Sequence, residues 1–75
     1  MDLLPEQCRA ARGLLDWTQE QLAARAGVSR STVRDFERHR HVLHRTTEGL
    51  LITTLYDAGV MLLPPGENGP GVRIR

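Results

Sequence analysis

The chain has 75 residues, 40% of them hydrophobic and 25% charged, with a formal net charge of +1; it makes one domain, and burying only about 60% of its unfolded surface leaves a lone monomer marginal, so partner chains are expected. A single cysteine, Cys8, excludes an internal disulfide. No apolar run approaches the roughly 20 residues of a membrane span or follows a basic start as a signal peptide does, so the expectation is a soluble, cytoplasmic protein with no membrane contact.

The first helix is expected to open with Pro5 at its first position, where a missing N–H costs nothing, and to run through PEQCRAARGLL. Leu4 offers no side-chain acceptor and caps it poorly. Leu4, Cys8, Ala11 and Leu15 recur at spacings of four, three and four, which places them on one core-facing stripe with Glu6, Gln7 and Arg9 outward. Cys8 then reads as a small core residue rather than a reactive thiol. Thr18 with Gln21 fits a capping box, so a second helix opens there, turns Leu22, Ala23 and Ala26 inward, and ends at Gly27 in the left-handed conformation that reverses the chain. Ser29 caps a third helix whose buried face carries Val33 and Phe36. Residues 19–38 therefore spell a helix-turn-helix, with Arg30, Ser31, Arg34 and Asp35 on the outer side of its second helix.

After Arg38 the pattern lapses through HRHVLHR, and a fourth helix begins near Thr46 or Thr47, carrying Leu51, Ile52, Leu55 and Ala58 to a stop at Gly59. Beyond it VMLL is a continuous apolar run, PPGENGPG is all turn formers and VRIR alternates, which predicts strand, loop, strand. A two-stranded hairpin alone is marginal, so it must pack on the fourth helix or extend across a dimer interface. Val72 and Ile74 are expected to face inward, Arg73 and Arg75 outward, and Val60, Leu62, Val72 and Ile74 are the dimerisation candidates. The division expected is a DNA-binding domain over 1–59 and a strand-loop-strand dimerisation element over 60–75.

Charge is uneven along the chain. Residues 25–45 hold Arg25, Arg30, Arg34, Arg38, Arg40 and Arg45 against Asp35 and Glu37, a net +4, while residues 1–24 carry −2 and residues 46–75 carry −1. All ten basic residues are arginine, a side chain suited to bidentate contacts with phosphates and guanine edges. Codon usage explains the missing lysine as readily, so clustering is the informative part. His39, His41 and His44 match no common zinc spacing, and no second cysteine completes a ligand set. No metal or cofactor is expected. Trp17 reads as a plug between the first two helices.

The arrangement resembles the phage Cro and repressor-type helix-turn-helix proteins, the XRE family, from about Gln7 to Gly59. The residues that carry the likeness are Arg12 in RAARGLLDWTQ, the QEQLAARAGVS segment with small Ala23 and Gly27 at the helix crossing, and STVRDFER ending on Glu37. The resemblance implies a mainly α, lambda-repressor-like domain of four or five helices, here with a short C-terminal β-hairpin. It also implies a structural ion pair of Arg12 with Glu37, a phosphate contact from Gln19, and base reading by Arg30 and Ser31. Arg34 and Asp35 extend the reading face by one turn. Thr18, Ser29, Arg38, Arg40 and Arg45 complete the expected phosphate contacts. His39 stands where the family has glycine, which leaves a left-handed exit from the third helix open against a helix that runs on.

No paired carboxylates, glycine-rich phosphate loop or nucleophile with a base is present, so no enzyme is implied, and no small-molecule ligand is evident. The expected function is a sequence-specific regulator of double-stranded DNA, of bacterial or phage type, most simply a homodimeric repressor with room for a regulatory protein partner. The alternatives are an antitoxin or antirepressor-like interaction module with secondary DNA binding, and a non-specific nucleic-acid binder.

Overall fold

The computed structural model describes residues 2–66 and 68–75. Among these, four helices, α1 (Pro5–Leu15), α2 (Gln19–Ala26), α3 (Arg30–Glu37) and α4 (Arg45–Asp57), precede an antiparallel hairpin of β1 (Val60–Gly66) and β2 (Gly69–Ile74). The class is mainly α with a C-terminal hairpin, as the sequence predicts.

Local chemistry sets the helix ends. Thr18 Oγ1 accepts the Gln21 N–H at 3.0 Å while Gln21 Oε1 accepts the Thr18 N–H at 2.8 Å, a reciprocal box that opens α2. Gly27 at φ 73 reverses the chain over the corner, and Ser29 Oγ accepts the Thr32 N–H at 3.1 Å to open α3. The exit from α3 is left-handed at His39, φ 61, with the Arg40 N–H donating to the Asp35 carbonyl at 2.8 Å. The helix therefore stops at Glu37 instead of running on. That paired turn satisfies the last carbonyls, which offsets the strain of a side chain in this conformation. α4 starts at Arg45, slightly before the predicted threonines, with His44 as its N-cap.

The core gathers Cys8 and Ala11 of α1, Leu22, Ala23 and Ala26 of α2, Val33 and Phe36 of α3, Leu51 and Leu55 of α4, and Val60 of β1. Leu3 is buried beside them, whereas Leu4, predicted on the inner stripe, is half-buried. The Leu3 N–H donates to Glu48 Oε2 at 2.9 Å, tying the N-terminal segment to α4.

The hairpin packs on α1 and α4. Val60 pairs with Ile74, Leu62 with Val72 and Leu63 with Gly71, and a register shift follows between Leu63 and Gly66. The strands reach further than VMLL and VRIR, taking in Pro64, Pro65 and Pro70. Glu67, in the predicted loop, lies outside the described residues. Gln7 fastens this hairpin: its Nε2 donates to the Leu63 carbonyl at 2.7 Å and the Gly71 carbonyl at 3.0 Å, while its Oε1 accepts the Leu4 N–H at 3.1 Å. Gln7 is thus buried, not outward as its position on the helical wheel suggests, because it satisfies a carbonyl from each strand.

Candidate nucleic-acid interface

With Val33 and Phe36 turned into the core, α3 leaves Arg30 and Ser31 exposed in its first turn. Arg34 and Asp35 follow, half-buried, and Arg34 Nε donates to Asp35 Oδ1 at 3.1 Å. That hydrogen bond holds the Asp35 carboxyl below its ordinary value. The Ser29 hydroxyl caps α3 and also meets Thr32 Oγ1 at 2.7 Å and Ser31 Oγ at 3.2 Å, so Ser29 and Thr18 are both engaged at helix N-termini. Arg12, Thr18, Gln19, Glu20 and Arg30 line one open groove of about 430 Å³, which joins the start of α2 to the start of α3.

Behind this face sits a buried polar junction. Arg12 Nε donates to Glu37 Oε2 at 2.8 Å and Arg12 Nη2 to Glu37 Oε1 at 2.6 Å, and Arg12 Nη1 caps the Trp17 carbonyl at 3.0 Å. Gln19 Nε2 adds a bond to Glu37 Oε1 at 3.0 Å, and Arg9 Nη1 donates to the Glu37 carbonyl. Burial raises the Glu37 carboxyl pKa, but hydrogen bonds from Arg12, Cys8 and Gln19 outweigh it and leave the group below the ordinary carboxylate value. Burial, together with the hydrogen bond to Glu37, pushes the Cys8 thiol up, so this cysteine stays protonated. One carboxylate therefore ties α1, the start of α2 and the end of α3 together. The Gln19 contact was not visible in the sequence, because it joins residues that meet only once α2 and α3 cross.

The arginines do not form one surface. Arg38 and Arg40 are exposed at the exit of α3, and Arg45 is exposed at the start of α4. Arg25 instead stacks over the Trp17 ring, 4.5 Å from its centroid, beside Thr54 and Asp57 at the far end of α4. Trp17 is half-buried against the core beneath it. His39 Nε2 lies 3.1 Å from Glu6 Oε2, and among the described residues no three of His, Cys, Asp and Glu stand together as metal ligands.

The four hairpin residues assigned to a dimer interface differ in what they leave free. Val60 is fully buried inside the chain's own core and has no surface for a partner; it is a core residue. Leu62 and Val72 are half-buried against the same core. Ile74, expected inward, is 56% exposed at the rim of the hairpin, next to Arg75, whose guanidinium lies 4.4 Å from the Tyr56 ring centroid. Among the described residues no helix is long and apolar enough to cross a membrane.

Comparison with known proteins agrees with this geometry. A family model described as helix-turn-helix matches residues 9–41, from within α1 to the loop beyond α3. No curated protein matches the chain. Over residues 9–41 the chain is similar to that helix-turn-helix family, which supports a DNA-binding regulator of the Cro/repressor type.

Proposed function

We propose that the protein is a sequence-specific repressor that binds double-stranded DNA as a homodimer, reads a pseudo-palindromic operator through the major groove, and acts in the cytoplasm. The observation that carries this reading is the outer face of α3, where Arg30 and Ser31 stand exposed opposite Val33 and Phe36. In this reading Arg30 donates to the O6 and N7 of a guanine, Ser31 contacts the neighbouring base, and the Arg34–Asp35 pair offers a donor and an acceptor one turn further along. Gln19 keeps one amide N–H on Glu37 and has a second for a phosphate oxygen. Thr18 and Ser29 at the helix starts, with Arg38, Arg40 and Arg45 around α3, supply the remaining phosphate contacts. The exposed Ile74, with Leu62 and Val72 beside it, supports pairing of two copies through the hairpin.

Selection from random duplexes at stated salt, with sedimentation of the recovered complex, tests the reading. The expected product is a two-fold symmetric site with half-sites about one helical turn, roughly 34 Å, apart. Arg30→Ala should relax preference at one position of each half-site by about 1 to 3 kcal/mol. Equal loss on selected and random DNA would remove Arg30 from the readout, and a stable monomer on an asymmetric site would overturn the dimer.

A further inference from the structure

The loop between α3 and α4 turns Leu43 toward the core but leaves Val42 94% exposed, well beyond the next large apolar side chain among the described residues, Ile74, at 56%. A lone surface valine needs no special account. This one, however, combines three placements. Its flanks are Arg40 and His41 on one side and His44 and Arg45 on the other, all exposed, so it projects from a cationic segment. It borders the outer face of α3: Val42, His41 and His44 line a cleft of about 270 Å³ together with Ser31, Thr32 and Asp35. And the left-handed turn at His39 folds the loop back alongside α3 instead of letting it continue the helix away.

We propose that Val42 is a second reading element, entering the major groove beside α3 and packing against the C5 methyl of a thymine. That methyl is the apolar feature a base-pair edge presents in the major groove. Arg40 and Arg45 hold phosphates on either side of it and fix its depth. The inference rests on the DNA-reading function proposed above and adds to it a specificity position that α3 does not supply.

The test uses the full chain and the duplex recovered by selection, with each thymine of a half-site replaced in turn by deoxyuridine. At one position per half-site, loss of a single methyl contact is expected to weaken wild-type binding about four-fold. Val42→Ala should weaken binding to the thymine duplex at least as much and lose nothing further on the deoxyuridine duplex at that position. Val42→Ala binding as tightly as wild type, or losses that multiply at every thymine, overturns the contact while leaving the DNA-reading function in place. A wild-type chain that enriches no duplex overturns both. Because Val42 touches solvent on nearly its whole surface, unchanged thermal melting is expected for the variant, which separates the binding loss from misfolding.

Discussion

Arg12 closes on Glu37 through two N–H···O contacts of 2.8 and 2.6 Å, with the carboxylate side chain only 1% exposed. Charge-assisted bonds of this kind are strong, and removing one partner strands the other's charge in the interior. Arg12→Ala is expected to cost about 3 to 5 kcal/mol, which lowers the melting temperature of a domain this size by at least about 12 °C. Arg12→Met combined with Glu37→Leu should recover much of the loss, since apolar replacement of a buried pair is close to neutral. Thermal melts of the three proteins check both statements, and a single variant that melts with wild type contradicts the first.

The same carboxylate makes the fold acid-sensitive. Its folded pKa lies below the ordinary value of 4.5, because the bonds from Arg12, Cys8 and Gln19 outweigh burial. A group depressed on folding contributes stability above its unfolded pKa and loses it as pH falls through the folded one. Urea unfolding midpoints are therefore expected to hold from neutral pH to about 5.5 and to decline below 4.5. Glu37→Gln should be less stable at neutral pH and show a shallower decline. Parallel curves for the two proteins would place the acid response elsewhere.

Gln7→Leu is expected to loosen the hairpin before the rest. The substitution removes the amide bonds to the Leu63 and Gly71 carbonyls and takes the side-chain acceptor from the Leu4 N–H, at about 1 to 3 kcal/mol for a group left unpaired where water cannot reach. Amide exchange in residues 60–74 should then speed up while α2 and α3 keep their protection. Uniform acceleration across the chain would mean that the hairpin and the helices unfold as one unit.

His39→Gly should stabilise the protein. Glycine adopts the left-handed conformation without the penalty a side chain meets there, and the contact it gives up, His39 to Glu6, joins two largely exposed groups that solvent screens. A net gain of up to about 1 kcal/mol is expected in denaturant titration. A loss would show that the imidazole contact outweighs the backbone relief.

What the sequence reveals of this fold depends on how far each signal reaches. Pro5, the Thr18–Gln21 box, Gly27 and Ser29 act over a turn or less, so the limits of α1 and α2 and the start of α3 can be read from the chain. Gln7 cannot be read that way, because Leu63 and Gly71 lie 56 and 64 positions further on. A glutamine on a helix surface looks outward until a hairpin that offers it a carbonyl from each strand covers it. His39 misleads for a related reason: residue preference disfavours the left-handed turn, but the Arg40 and His39 N–H bonds to α3 carbonyls select it. At the interface, helical period separates Arg30 and Ser31 from Val33 and Phe36. It does not reveal the Arg34–Asp35 contact between adjacent residues, which a helix normally points apart. Nor does alternation alone give the exposure of Ile74, which is set by where the hairpin ends relative to α1 and α4.

Gln7 and Arg12 sit five positions apart on α1, an axial distance of about 7.5 Å, and each holds a different part of the molecule. The first grips both strands of the hairpin and the second grips the tail of α3. α1 thus works like the beam of a caliper, with the hairpin fixed to one point and α3 to another. In the proposed dimer the span between the two reading heads, and so the phase of the half-sites along the duplex, is metered by this rigid beam and not by the loops around it.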